Sequence, residues 1–554
     1  MPYLAFLLLA APLLSAVLVW FGRARPRVRV AQLSVAFASL TWALALAAFL
    51  HGSAPPVVVA GGVMLQLDPL ARLMALTVAS ISLVVHVYSV RYMAEEPGYA
   101  RFFALLDLMT AVILLMVLAQ DLITLLIAWQ LVGVVLYFLL AQDLTRPAAG
   151  RYALWSFLTY RLGDVPLVLA AVLLYQAHGT VSLPEIFQRM AAAPHAHQVA
   201  GVSLSVVTGL LVVLSAFARS AQVPLHTWLP YTMEGPTPVS ALMHAGIVNA
   251  GGFLLNRFAP VFVHAGAVLH VVFAVGLITA VLGSVLMLMQ NDVKKALGYS
   301  TMGQMGFMFV ECGVGAFSLA IYHLIAHGLF KGTLFLGAGS IIGNARRHDG
   351  VPPDTLYTFV VERRPEALRL PWLLAAGITL VVPFTLLIAS HWLVDGKLVR
   401  QQGALILLFF GWVTGAQLLF ATYRLRADNP WRLMGMIILS LVIVVAGYTV
   451  IGHGFDLFLY PNRAMAEALF AAASIPVGTF EALVAVLTLA VVLGWLFTYH
   501  AAASDRPRGK EASRLRLAFY SLLSRELYVP DLYAWLARAI LAGSRRLNLW
   551  WRWG

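Results

Sequence analysis

Apolar runs of membrane-spanning length dominate this chain and constrain its fold more than any other feature. They fall near 3–21, 29–50, 69–90, 102–119, 121–141, 152–175, 200–217, 239–256, 262–289, 296–312, 315–342, 370–394, 403–421, 433–452 and 480–499. A helix needs about 20 apolar residues to cross a hydrocarbon core of roughly 30 Å. Charged residues are 11% of the chain and hydrophobic residues 61%, whereas soluble domains carry roughly 25% charge. A water-soluble enzyme and a disordered chain are both excluded. The runs are continuous rather than alternating, which excludes a β-barrel. The expectation is an all-α polytopic membrane protein with about 14–16 transmembrane helices. The first run lacks a charged start and a small-residue cleavage site, so it reads as a retained helix.

The net charge of +13 finds its explanation in topology rather than in nucleic acid. Alternate loops collect the cations: Arg23, Arg25, Arg27 and Arg29; Arg91 and Arg101; Arg146 and Arg151; Lys294 and Lys295; Arg346 and Arg347. The intervening loops hold few, such as Arg189 and Arg257. By the positive-inside rule the N-terminus is outside, and the chain belongs in a cell inner membrane with lipid as its solvent. The single cysteine, Cys312, cannot form an internal disulfide or a multi-thiolate metal site. No cofactor is expected in this chain.

Residues 52–68 read as a short external hairpin, and the tail from Leu527, rich in tryptophan and arginine, as an interfacial helix. Two apolar regions are interrupted by proline: Pro224–Pro238, with four prolines, and Pro371–Pro383. Proline removes a backbone donor, and the freed carbonyls must face protein or a water-filled cavity. Paired interruptions of this kind point to a transport site built from repeats. Their separation of about 150 residues suits two five-helix units. A glycine run after Gly337 follows no strand and is not a phosphate loop.

Ionisable groups inside apolar runs are costly and by default functional. His323, His327 and Lys331 lie at i, i+4 and i+8, a ladder of roughly 12 Å on one helix face. Imidazole titrates near neutral pH, and a desolvated lysine can be pushed toward it. His244 opens another run. Arg161 and Asp164 are spaced to pair. Arg219 and Glu234 flank the first interruption, and Asp107 lies in the span after Arg101. Asp121 and Asp143, at helix ends, are expected to be solvated.

These residues also carry a resemblance. Leu225 to Pro230 (LHTWLP), Met233 to Leu242 (MEGPTPVSAL) and His244-Ala245 resemble the hallmark of antiporter-like membrane subunits of respiratory complex I and multi-subunit sodium/proton antiporters. Asn291 to Leu297 (NDVKKAL), His323 to Lys331 (HLIAHGLFK) and Arg161 to Asp164 (RLGD) resemble three further blocks of that family. The resemblance implies two inverted five-helix repeats, each with a broken helix. It places N-terminal helices and the hairpin at 1–95, the repeats at 96–260 and 261–425, and C-terminal helices, basic loop and tail at 426–554. It assigns ion translocation to Lys331, His327, His323, His244, Glu234, Arg219, Arg161, Asp164, Lys294 and Lys295. His391 and Asp395 are the nearest candidates for the second broken helix.

Three departures stand out. Gln130 follows Trp129 where the family has a glutamate, Arg219 stands where it has a lysine, and the second broken helix lacks its lysine. Arginine does not deprotonate usefully. With the run from His244 to Pro260 (HAGIVNAGGFLLNRFAP), this pattern resembles DabB-type membrane subunits of bacterial inorganic-carbon pumps. That resemblance implies a DabA-type partner similar to a zinc carbonic anhydrase, with zinc on the partner. Flow of protons or sodium ions through this chain would then drive hydration of carbon dioxide to bicarbonate there. The alternatives are a proton-pumping subunit of an NADH-quinone oxidoreductase and a subunit of a sodium/proton antiporter.

Overall fold

A computed structural model describes residues 3–53, 55–59, 62–143, 145–194, 196–232, 235–290, 292–347, 372–394, 430–503 and 514–551, with single positions between 402 and 412. The N-terminal helices are α1 (Tyr3–Phe21), α2 (Arg27–His51), α3 (Pro69–Tyr92), α4 (Tyr99–Leu118), α5 (Leu122–Leu140) and α6 (Pro147–His178). Hairpin β1–β2 (Val57–Val59, Val63–Leu65) joins α2 to α3, as the sequence predicts. Helix α7 (Leu183–Ala192) and a second hairpin, β3–β4 (Gln198–Val199, Val202–Ser203), follow α6. Among the described residues, nine helices are long and apolar enough to cross a membrane. A pair of helices bent by 74° passes the same test of length and composition when taken together. Other elements of the expected set are shorter, like α8 (Leu204–Arg219), or diluted by polar groups, like α14 (Val293–Gly313).

The elements start and stop where capping chemistry dictates. Asp68 accepts the Ala71 amide at 2.7 Å with Pro69 in the first turn of α3, and Asp292 accepts the Lys295 amide at 2.8 Å to open α14. Side-chain caps of this kind satisfy donors that have no partner within the helix. Asp121 caps α5 through the Thr124 amide at 2.7 Å and also accepts the Met64 amide of the hairpin at 2.9 Å. It is buried, so the expectation that it is solvated is corrected: the hairpin covers it.

Helix association in lipid draws on close packing, because lipid is as apolar as leucine. Helix α13 (Gly266–Leu288) meets α14 backbone to backbone. A Cβ on Gly283 would lie 2.8 Å from the Gly303 Cα, and one on Gly276 2.8 Å from the Gly306 carbonyl. That glycine contact leaves the opposite face of α14 for polar residues.

The first interruption is real. Helix α8 ends at Arg219, Ala221 takes a left-handed φ of 51°, and Val223–Pro224 is cis. The short helix α9 (Trp228–Tyr231) resumes the descent. The chain returns through α10 (Thr237–Leu242), a π-helical turn (Met243–Ile247) and α11 (Ala250–Arg257), then α12 (Ala259–Phe262) leads into α13.

The second half differs from expectation. Helix α15 (Phe317–Arg347) is followed by α16 (Trp372–Val394), which runs unbroken through Pro383. The Trp412 indole donates to the Leu380 carbonyl at 2.7 Å, beside the carbonyl that the proline frees. The expected break therefore does not occur within 372–394. Beyond α17 (Pro430–Leu459), a break does occur between α18 (Arg463–Ala473) and α19 (Val477–Ala503), bent by 74°. There Gln402 pairs with both the amide and the carbonyl of Ile475 at 3.0 Å. The chain closes with α20 (Arg514–Ser524), a turn at Glu526–Tyr528 and α21 (Val529–Trp551).

Candidate functional site

Among the described residues, most of the predicted site residues gather in two buried polar centres. The first is built on α5, α6 and α8. Arg161 and Asp164 pair at 2.8 Å, as their spacing predicts, and Arg219 approaches the same carboxylate at 3.5 Å. Two guanidiniums thus share one carboxylate. Arg219 is 1% exposed and lies between two rings, its guanidinium carbon 4.3 Å from the centre of Trp129 and 4.2 Å from that of Tyr160. It donates to the Trp129 carbonyl at 2.6 Å, and Arg161 donates to the Gln130 carbonyl at 3.1 Å. Carbonyl acceptors and ring faces disperse a permanent charge without taking a proton from it. Trp129 and Tyr160 escape sequence reasoning, because an apolar face gives no sign that a ring covers an ion.

The second centre is built on α14, α15 and the π-helical turn. His323 places Nδ1 2.9 Å from Glu311 Oε1 and Nε2 2.9 Å from Gln304 Oε1. An imidazolium donates to both, while a neutral ring fits either with the Gln304 amide turned or with Nδ1 accepting from a protonated Glu311. His327 follows one turn on, its ring centre 6.2 Å from that of His323. Lys331 is 2% exposed and donates to the Leu297 carbonyl at 3.4 Å. Leu297, Gln304 and Glu311 recur every seven residues on α14, so one face of α14 answers the ladder on α15. From Leu297 to Glu311 the paired groups cover about 21 Å of helix.

His244 completes this centre. It is fully buried and stacks on Phe335 with ring centres 4.4 Å apart. Its π-helical turn is of the kind found at functional sites. Both His244 ring nitrogens, His327 Nε2 and Glu311 Oε2 have no hydrogen-bond partner among the described protein groups. Glu311 and Gln304 were not singled out from the sequence. Their signal was available as a carboxylate and an amide at seven-residue spacing within the apolar run 296–312.

The remaining predicted residues lie elsewhere. Lys294 and Lys295 sit at the end of the bundle that carries the basic loops. They line a cavity of about 420 Å³ with Arg146, Glu96, Asp143 and Asp292. Three cations face three carboxylates there, so this mouth is no anion trap. Lys295 places its ammonium 4.6 Å from the centre of the Tyr231 ring. At the opposite end Arg257 pairs with Asp68 and donates to the Val117 carbonyl at 2.8 Å. Glu234 and Asp395 lie outside the described residues, as does the side chain of His391 in α16. A third buried cluster, from the N-terminal helices, joins Asp107 to Ser15 and Ser34 at 2.8 Å and to His86 at 3.1 Å.

Residues 119–418 match the family described as NADH:quinone oxidoreductase/Mrp antiporter, transmembrane, and residues 62–103 match the N-terminal region of complex I chain 5. The chain is 59% identical over 99% of both lengths to a probable inorganic carbon transporter subunit DabB1 of Halothiobacillus neapolitanus. It is 36% identical to an NAD(P)H-quinone oxidoreductase chain 5 of Synechocystis, over 65% of this chain and 53% of that protein. Among solved structures, a chain of the Mrp complex from Dietzia matches 97% of this chain and 63% of its own length at 25% identity, with a TM-score of 0.58. A chain of an archaeal membrane-bound sulfane sulfur reductase shares the fold alone, at 19% identity and a TM-score of 0.59 over 85% of this chain and 99% of its own. The chain therefore belongs to the antiporter-like membrane subunits of complex I and Mrp antiporters, and within them to the DabB-type subunits of inorganic carbon transporters.

Proposed function

We propose that this chain is the ion-translocating subunit of an energy-coupled inorganic-carbon pump in the inner membrane of a bacterium. The observation that carries the reading is the row of titratable groups Lys331, His327, His323 and Glu311, three of them buried and His323 partly so, in a chain so similar to a carbon transporter subunit. Protons are the ion such a set is suited to, since each member both binds and releases one. Sodium is the alternative. In this reading Glu311 and Gln304 orient the His323 ring, and His323 exchanges a proton with His327 across one turn. Lys331 and His244 hold the end of the path nearer the basic mouth. The chain performs no carbon chemistry. A DabA-type partner with a carbonic-anhydrase-like zinc site does so, and this chain supplies the ion flow that makes hydration of carbon dioxide one-way.

The test is bicarbonate accumulation in a strain whose other uptake systems are deleted. A protonophore should stop accumulation while the two-protein complex stays intact. A sodium ionophore acting alone would move the ion assignment to sodium. Accumulation that survives loss of both gradients would reject ion coupling. Zinc should be found in the complex and not with this chain purified alone. Quinone-reducing partners co-purifying in place of a zinc protein would favour the oxidoreductase alternative, which the 36% identity to chain 5 keeps in view.

A further inference from the structure

The C-terminal segment grips the broken helix at two points. The Tyr533 hydroxyl of α21 donates to the Pro224 carbonyl at 2.7 Å, and its ring packs edge-on against Trp155 at 5.6 Å. Pro224 lies in the interruption after α8, where backbone acceptors have lost their helical donors. Glu526, in the turn before α21, accepts the Tyr231 hydroxyl at 3.1 and 3.3 Å. Tyr231 ends α9, stacks on Tyr152 at 5.1 Å and carries Lys295 on its face. A lysine of the mouth, a tyrosine of the break and a carboxylate of the tail thus form one line.

The tail is strained where it makes this contact. Glu526, Leu527 and Tyr528 have φ of 54°, 57° and 59°, left-handed values that non-glycine residues rarely adopt. Three in succession persist only where surrounding contacts hold them. Glu526 is itself buried, although both helices beside it expose large apolar side chains. A tail that only rested on the membrane surface would need neither the strain nor the buried carboxylate.

We propose that Glu526 and Tyr533 are positioning residues, and that residues 514–551 form a strap that holds the broken helix in its transporting geometry at the basic mouth. The inference rests on the preceding section for what the broken helix serves, and on the strap's own contacts for the rest. Glu526 acts through Tyr231 on Lys295, and Tyr533 acts on the break itself. The charged groups around this line are Glu96, Asp143, Arg146, Asp292 and Lys294, which share the cavity with Lys295 and Tyr231.

The test reads geometry and transport separately, in the full complex. In a Cys312→Ser background, Leu225→Cys reports access to the break by its rate of thiol labelling. Glu526→Ala should raise that rate and lower carbon-uptake rate about tenfold, the loss of a hydrogen bond to a charged group. Tyr533→Phe keeps the ring on Trp155 and should change both about fivefold, the loss of a neutral hydrogen bond. Glu526→Gln retains an acceptor for Tyr231 and should recover most of the activity. Lys331→Ala is the control, with uptake lost and labelling unchanged. Unchanged labelling in Glu526→Ala and Tyr533→Phe would overturn the strap, as would raised labelling with full uptake. Full uptake by the Lys331→Ala control would instead overturn the ion-path reading and leave the labelling result to judge the strap alone.

Discussion

The two polar centres are built from different chemistry on related frames. The one on α5, α6 and α8 holds fixed charge: Arg161 and Arg219 share Asp164, rings cover Arg219, and Gln130 supplies only a backbone carbonyl. The one on α14 and α15 holds exchangeable charge: an imidazole between a carboxylate and an amide, a second imidazole, and a lysine whose hydrogen bond to a carbonyl is long, at 3.4 Å. Fixed charges hold helices together and repel cations, whereas exchangeable groups pass protons. Burial alone therefore does not mark an ion path, since Arg219 is buried as deeply as Lys331. The group must also be able to change its charge.

The largest effect expected from this contrast is at Lys331. Lys331→Ala should cut carbon-dependent growth at ambient carbon dioxide to background, a loss on the order of 100-fold or more in transport, while membrane levels hold. Lys331→Arg should fail as well, because arginine keeps its proton at working pH. Growth with arginine would mean that the lysine is a fixed electrostatic element, and the contrast between the centres would collapse. Glu311→Gln comes next, with about a tenfold loss. It keeps an oxygen for His323 but cannot stabilise an imidazolium. His327→Ala should match it, since it removes the step between His323 and Lys331. Wild-type growth in both variants would make the ladder structural.

Much of the second centre was legible in the sequence, because a helix presents every fourth residue on one face and His323, His327 and Lys331 keep that spacing. Its other half showed only as the seven-residue spacing of Gln304 and Glu311, and the glycine contact of α14 with α13 decides that this face meets the ladder. The first interruption was legible from its prolines. The one expected at Pro371–Pro383 was not met within α16, where the Trp412 indole tends a neighbouring carbonyl. The bend before α19 was missed because its backbone is satisfied by Gln402, a residue some 70 positions away that no local rule would find.

The next variants test whether the first centre is only structural. Arg219→Ala leaves Asp164 with one partner and opens a hole between two rings. Breaking a buried ion pair costs about 3–5 kcal/mol, so the expected result is less protein in the membrane, with transport per molecule preserved. Arg219→Lys keeps the charge and loses the planar stacking, worth about 1–2 kcal/mol, and should lower thermal stability modestly. Wild-type levels with lost transport in either variant would place Arg219 in the ion path. Differential scanning fluorimetry of the detergent-solubilised complex, paired with uptake normalised to protein, separates these outcomes.

The smallest effect belongs to Gln130→Glu. Arg161 already reaches the Gln130 carbonyl at 3.1 Å, so a carboxylate at this position enters a site where two guanidiniums face one acid. It would balance the surplus positive charge and should raise stability by about 1 kcal/mol. If the first centre carries no ions, transport should stay within about twofold of wild type and its pH profile should not move, because the new acid stays ionised beside arginine. A carboxylate there together with Arg219→Lys recreates two groups able to exchange a proton. That double variant is the sharper probe. A change in ions moved per bicarbonate, measured from the dependence of accumulation on the imposed gradient, would show that the frame still supports a path and that its closure rests on residues 130 and 219. An unchanged ratio would mean that the surrounding helices no longer lead ions to this centre, and that fixed charge is its whole role.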